Sequence, residues 1–340
     1  MLEKIVAPLV EWYGINARAL PWRMSKAPYG IWVSEIMLQQ TRVSAVIEYF
    51  KRFMTALPTI EALAEAKEEE LLKLWEGLGY YTRVRNLQKA AKVIVQEHQG
   101  CFPQTYEAVI ALPGIGAYTA GAICSIAFEQ KTPAVDGNVL RVMSRLTENY
   151  GDIGKASVKK QVEQQLKAIY PEGRCGDFTQ SLMELGATIC IPKGEPDCGA
   201  CPVSSFCRGY QNNTYKELPI KAKKIQRRKE KKTVFLLTCG EEYAIEKREK
   251  GGLLGGLWAF PSSEGRLDKA ELFNWLSAHH LTAEEIGEGR ALRHVFTHIE
   301  WEMMGYSISC VEKNEEFVWK SRKEIEEGFA LPTAFKKFLL

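Results

Sequence analysis

The sequence lacks any run of about 18 apolar residues, so it predicts no membrane-spanning helix. Net charge is also small, +3 over 340 residues, so any attraction to a polyanion has to come from how charge is distributed. Internal repeats are missing, which argues against a solenoid. The N-terminal stretch MLEKIVAPLVEWYG carries Glu3 and Glu11 and no long apolar core; it reads as an amphipathic helix rather than a signal or transit peptide. Cysteine, by contrast, is plentiful, at nine residues. In a large chain with no export signal these are expected as reduced thiols of a cytoplasmic protein rather than disulfides. Hydrophobic content of 46% and charged content of 26% are ordinary for a globular protein, and the length allows two domains or more.

Charge is concentrated in one place. Residues 216–232 hold nine Lys or Arg against two Glu, a net of +7 that leaves the rest of the chain at about −4. This reads as a basic linker that meets a polyanion, or simply as a solvated linker. Before it, over 1–215, the pattern is helical. Ile36, Val43, Ile47 and Phe50 share a face, as do Ile60, Leu63, Leu71 and Leu74, with breaks at Pro58, Gly77–Gly79, Pro103 and Pro113. Over 233–340 the pattern changes. Residues 233–239 and 243–249 suit a strand hairpin around Gly240, 301–311 another strand and 268–280 a helix. The fold class is an all-α domain, a basic linker and a smaller α+β domain.

Four features carry chemistry. Cys190, Cys198, Cys201 and Cys207 lie within 18 residues, in a Gly- and Pro-containing segment. Four thiolates at such spacing suit either a zinc ion or an iron–sulfur cluster. The LPGIG run at 112–116 reads as a turn between helices, or as a hairpin whose Gly114 and Gly116 let backbone amides meet phosphate. Asp136, just before the helical run VLRVMSRL, is a helix N-cap or an anion facing a developing cation. Glu35, among Trp32, Val33, Ile36, Met37 and Leu38, is a surface charge or a carboxyl that holds a proton near neutrality. Two carboxylates in unlike settings supply the proton donor and cation stabiliser that glycosidic cleavage needs.

The segments LPWR (20–23), WVSEIMLQQTRV (32–43), GLGYYTR (77–83), LPGIGAYTAGAI (112–123), VDGNVLRV (135–142) and MELGATIC (183–190), followed by the cysteine block, appear in an order that resembles the A/G-specific adenine DNA glycosylases. These belong to the helix-hairpin-helix, iron–sulfur superfamily of base-excision enzymes. The resemblance implies a helix-hairpin-helix domain with an iron–sulfur loop, a [4Fe–4S] cluster on the four cysteines, and a C-terminal Nudix-like α+β domain. The cysteine loop here is one residue longer than the family pattern. The implied substrate is double-stranded DNA holding adenine opposite 8-oxoguanine or guanine. The implied protein is a monomer, cytoplasmic and, if bacterial, nucleoid-associated.

Roles follow residue by residue. Glu35 would protonate the adenine and Asp136 stabilise the sugar cation, with Tyr118 and Asn138 in support. Relatives with lyase activity carry a lysine where this chain has Tyr118, so a monofunctional enzyme is implied. Trp22 and Arg23 would line the DNA and base pocket, Gln40 and Thr41 would contact DNA around the lesion, and Leu78 and Tyr80 would fill or wedge the gap left by a flipped base, with Gly79 between them also on the DNA. GGLLGGLWAFP (251–261) and HVFTHIEW (294–301) resemble the Nudix-like domain, with Phe296, Thr297 and His298 as the loop reading 8-oxoguanine. No Arg-Glu pair precedes EEIG (284–287), so pyrophosphate hydrolysis is not expected. Two other readings stay open: a thymine or damaged-pyrimidine mismatch glycosylase, and a non-catalytic DNA-binding module.

Overall fold

The computed structural model describes residues 2–222 and 226–339. The expected linker at 216–232 therefore lies partly outside the described residues. By internal contacts the chain divides into two units: Met1–Ala66 with Thr82–Lys223, and Lys67–Tyr81 with Lys224–Leu340.

The first unit is helical among its described residues. In chain order the helices are α1 (Val6–Asn16), α2 (Pro28–Leu38), α3 (Val43–Ala56), α4 (Ile60–Glu65), α5 (Glu68–Leu74, part of the second unit), α6 (Thr82–Glu97), α7 (Tyr106–Ile110), α8 (Ala117–Phe128), α9 (Gly137–Thr147), α10 (Ala156–Lys167), α11 (Cys175–Thr188) and α12 (Arg208–Gln211). The face read through Ile36, Val43, Ile47 and Phe50 is split between α2 and α3. The break is at Gln39–Arg42, where Gln40 takes a left-handed backbone conformation. α2 has no polar face: Tyr29 and every residue from Ile31 to Met37 are buried. A helix apolar all round must sit in the core, and it carries Glu35 in with it. α8 is alike, buried from Thr119 to Ile126.

Between α7 and α8 the chain makes the LPGIG turn. Gly114 has φ +77°, and a β-carbon there would stand 2.6 Å from the Asn86 side chain, so backbone strain and packing both require glycine. α11 comes equally close to the start of α9: a β-carbon on Gly186 would lie 2.6 Å from that of Asn138.

The second unit is a mixed sheet with helices. Its strands are β1 (Arg228–Cys239), β2 (Glu242–Lys247), β3 (Trp258–Ala259), β4 (Ser262–Glu264), β5 (Ala283–Ile286), β6 (Arg290–Val295), β7 (Ile299–Cys310) and β8 (Val318–Ser321). The main path runs β3-β2-β1-β7-β5, with β4 on β1, β6 on β7 and β8 on β2. β1 and β7 are parallel, from Arg228↔Ile299 to Thr238↔Ser309. Alternation along β1 builds two cores. Val234 and Leu236 pack with Trp301, Met303 and Phe335, whereas Phe235 and Leu237 pack with Leu272, Leu276 and Ile308. The helices are α13 (Lys269–Ala278, with a capping box from Asp268 and Glu271), α14 (Arg322–Gly328) and α15 (Thr333–Lys336).

Two features depart from the sequence reading. Arg228–Lys232, read as linker, begins β1; Lys232 is buried, pairs with Glu264 and lies 4.7 Å above the Trp301 ring. And Lys67–Tyr81 groups with the sheet unit. Lys73 Nζ donates to the Phe329 carbonyl at 3.0 Å, and the Leu331 amide donates to Glu76 Oε1 at 2.7 Å. Lys336 adds an ion pair to Glu76 at 2.8 Å.

Candidate active site

The helical unit encloses a cavity of about 560 Å³. Trp22, Arg23, Glu35, Gln40, Thr41, Tyr118, Asp136 and Asn138, all singled out from sequence, line it. Arg18, Gln180, Met183 and Glu184 line it too, and the sequence reading missed them.

Glu35 reaches the cavity from α2 and is only 6% exposed. Burial pushes its carboxyl up to about 7; the Tyr118 hydrogen bond and the Arg23 charge oppose this, and Asp136 adds to it. Tyr118, from the first turn of α8, donates its hydroxyl to Glu35 Oε2 at 2.6 Å. Burial, with the charges of Glu35 and Asp136, keeps the Tyr118 phenol protonated.

Asp136 is the N-cap of α9, its Oδ1 accepting the Val139 amide at 2.7 Å. The helix-cap reading of this residue holds, and the residue also lines the cavity. Asn138 Nδ2 donates to Asp136 Oδ2 at 2.9 Å, and Arg141 Nη2 donates to Asn138 Oδ1 at 2.9 Å. Burial raises the Asp136 carboxyl, and those donors with the Arg141 charge pull against it.

Part of the lining is an ion-pair network around a buried carboxylate. Glu184, on α11, has a side chain that is 0% exposed. Its Oε1 accepts from Arg18 Nε at 2.6 Å and its Oε2 from Arg18 Nη2 at 2.9 Å and Arg23 Nη2 at 2.8 Å. Burial alone would raise this carboxyl, yet the two arginines outweigh it and hold it at about 2. Arg23 also donates to the Arg18 carbonyl at 3.2 Å and sits 5.5 Å over the Tyr13 ring. Trp22, buried, meets Phe50 edge-on at 5.5 Å. Gln40 and Thr41 follow α2 at the cavity edge.

The remaining expected residues lie elsewhere. Gly114 and Gly116 form the α7–α8 turn rather than the cavity wall. In the sheet unit, Leu78 is buried, the Gly79 carbonyl accepts from Trp75 Nε1 at 3.1 Å, and Tyr80 is 47% exposed. Tyr80 and Thr297 hydrogen-bond through their hydroxyls, so two sets of residues far apart in sequence meet. Thr297 and His298 are exposed at the tip of the β6–β7 hairpin, closed by the Phe296 amide on the Ile299 carbonyl at 2.8 Å. Phe296 packs edge-on against His294 at 4.6 Å and Trp301 at 4.9 Å.

The cysteine block requires a correction. Cys190, Cys198, Cys201 and Cys207 line a small apolar pocket of about 30 Å³. Among the described residues, however, no three His, Cys, Asp or Glu side chains are grouped so as to hold a metal ion. Burial raises the Cys198 and Cys207 thiols and carries Cys201 to about 12, so they are set as protonated thiols. Arg145 Nη1 donates to Cys190 Sγ at 3.2 Å, and Cys207 Sγ donates to the Arg145 carbonyl at 3.4 Å. The donor set does not fit the expected [4Fe–4S] cluster, and the loop is held by Arg145 and apolar packing.

The helical unit thus joins a glycine turn to a cavity whose carboxylates, Glu35, Asp136 and Glu184, sit in unlike settings. Residues 33–172 match the HhH-GPD superfamily of base excision DNA repair proteins, and residues 233–340 match a NUDIX domain. Two curated relatives are similar along nearly the whole chain. The adenine DNA glycosylase of Buchnera aphidicola subsp. Baizongia pistaciae is 33% identical, covering 97% of this chain and 94% of that protein. That of Homo sapiens is 35% identical over 97% of this chain and 72% of its own. Among solved structures, a thermostable thymine-DNA glycosylase aligns with TM-score 0.55 and 28% identity, over 62% of this chain and 97% of that one. The chain belongs to the adenine DNA glycosylase family.

Proposed function

We propose that this chain removes adenine mispaired with 8-oxoguanine or guanine from duplex DNA by base flipping and acid-assisted hydrolysis of the N-glycosidic bond, leaving the strand uncut. The observation that carries the reading is the pairing of Glu35 and Asp136 in one cavity. Glu35 is buried, bonded to Tyr118 and set to hold a proton near pH 7. A protonated carboxyl of this kind hands its proton to the departing base, so the base leaves neutral. Asp136 accepts hydrogen bonds from the Val139 amide and the Asn138 side chain, and its role is to stabilise the sugar cation left behind. Tyr118 stands where an imine-forming lysine would be needed for strand cleavage, and a phenol forms no imine. Water then adds to the sugar cation and loses a proton, which returns to the Glu35 carboxylate directly or through solvent.

Reaching the base requires its extrusion from the stack. Trp22, Arg23, Gln40 and Thr41 are assigned to the flipped base and its strand, and the amides after Gly116 to phosphate. Leu78, Gly79 and Tyr80 are assigned to the gap, and Phe296, Thr297 and His298 to the base opposite. Tyr80 and Thr297 share a hydrogen bond, which supports their acting on one DNA segment. The proposed division of labour is catalysis in 1–215, a basic linker from 216 up to the start of β1 at Arg228, and lesion reading in 233–340. A monomer in the cytoplasm, on the nucleoid in a bacterium, completes the reading. No helix among the described residues is long and apolar enough to cross a membrane.

The test is strand cleavage after alkali on duplexes carrying A:8-oxoguanine, A:G, T:G and A:T pairs. Cleavage is expected at the first two, only after alkali. Cleavage at T:G instead, or without alkali, overturns the assignment.

A further inference from the structure

Glu184 is a puzzle in the reading above. It is fully buried at the cavity wall, ionised, and has no place in the acid–cation scheme. A buried carboxylate is a poor way to gain stability, since desolvation offsets much of the attraction to its partners. It is therefore explained better by what it does to its partners. Both are arginines that line the cavity, and both are bound through the same carboxylate.

We propose that Glu184 is a positioning residue for adenine excision: it fixes the guanidinium groups of Arg18 and Arg23 at the base cavity and cancels part of their charge toward Glu35. This rests on the function proposed above. The geometry is specific. Arg18 presents Nε and Nη2 to the two carboxylate oxygens in a fork, and its own backbone amide donates to Oε1 at 3.2 Å. Arg23 closes the network on Oε2 and on the Arg18 carbonyl. Two turns of irregular chain near the cavity are thereby tied to the rigid helix α11.

The charge argument follows from what faces Glu35. From α8 comes Tyr118, from the α9 cap Asp136, and from the Pro21–Arg23 turn Arg23. α6 offers Arg83, which is bound to the carbonyls of Ile36, Met37 and Gln39. On α3, Lys51 pairs with Glu48 and Arg52 lies over the Tyr49 ring. Arg23 is thus the cation that acts on Glu35, and Glu184 is its counter-ion. Remove that counter-ion and the full Arg23 charge favours ionised Glu35, which is the form without the proton to give.

The test is single-turnover adenine release from an A:8-oxoguanine duplex by the full chain, followed across pH. Glu184→Gln should slow release about tenfold near pH 7.5 and move the alkaline limb downward by about half a pH unit or more. Arg23→Gln, made separately, should move that limb upward. Glu184→Asp keeps the charge and should restore the limb while leaving the rate reduced. A Glu184→Gln rate and profile within twofold of the parent overturns the proposal. If Glu184→Gln fails to fold, an unmoved limb in Arg23→Gln overturns it instead. A parent that releases no adenine overturns the function on which this inference stands; a parent that releases adenine and matches Glu184→Gln overturns only the role of Glu184.

Discussion

Two glutamates line one cavity, and their carboxyls are shifted in opposite directions. Glu35 on α2 is pushed to about 7, and Glu184 on α11 is held at about 2. Burial raises both, so burial alone does not separate them. The difference lies in the donors. Glu35 receives one phenol and faces a second carboxylate; Glu184 receives a guanidinium fork and a second guanidinium. The same side chain is thus biased toward its neutral form in one place and toward its anion in the other. What differs is whether the neighbours supply full positive charge.

The largest effects come from removing chemistry on the acid side. Glu35→Gln cannot donate a proton, so single-turnover adenine release should fall by roughly 10²–10⁴-fold, with duplex affinity retained in a gel-shift assay. Release within a few-fold of the parent would mean that Glu35 is not the acid. Asp136→Asn keeps a cap for α9 but loses the anion, and should cost about 10²–10³-fold. Its duplex binding should likewise persist, because the proposed phosphate contacts lie elsewhere.

A smaller effect is expected in the other unit. Thr297→Ala removes a hydroxyl at the hairpin tip, and the loss of a hydrogen bond or so costs ~1–3 kcal/mol. That is about ten- to a hundredfold in the preference for 8-oxoguanine over guanine, measured as the ratio of single-turnover rates on the two pairs at one salt concentration. An unchanged ratio would remove this hairpin from lesion reading.

Stability gives the smallest and most direct contrast between the two glutamates. A carboxyl whose folded pKa is raised, like Glu35, binds more protons folded than unfolded, so it weakens the fold as pH climbs from about 4.5 to about 7. Glu35→Gln should therefore raise the melting temperature at pH 8 by a few degrees while abolishing activity. Glu184 has the opposite sign. Its pKa is depressed, so its contribution is present above about 4.5 and lost as pH falls toward 2. Arg18 is partly exposed, which limits that contribution to ~2 kcal/mol after screening. Glu184→Gln should lower the melting temperature at pH 7 and have little effect near pH 2. Equal and same-signed shifts in the two variants would contradict the contrast.

The same pair shows what sequence can and cannot reveal. Glu35 was legible as a candidate through the WVSEIMLQQTRV resemblance, since its apolar neighbours alone left a surface charge equally open. Glu184 sits in an equally apolar run, between Met183 and Leu185. Nothing local separates it from Glu35, because its arginines are 166 and 161 residues away in the chain. The strands at 233–239 and 243–249 and the helix at 268–280 were readable from their residue patterns, and the structure adds the Asp268–Glu271 capping box. Arg228–Lys232 was not: its charges read as linker, and only pairing with β7 and the Glu264 and Trp301 partners make it strand. The cysteine spacing was readable and misleading, since it announces ligation while the packing presents half-buried thiols, with Cys190 and Cys207 hydrogen-bonded to Arg145.

The central claim is that a buried, protonated Glu35 drives adenine loss. The measurement is the single-turnover rate of adenine release from an A:8-oxoguanine duplex between pH 5.5 and 9, with parent and Glu35→Gln side by side. A rate that holds below about pH 7 and falls roughly tenfold per unit above it, with the variant near zero throughout, is the predicted result. A rate that is flat across that range, or a variant that follows the parent, would contradict it.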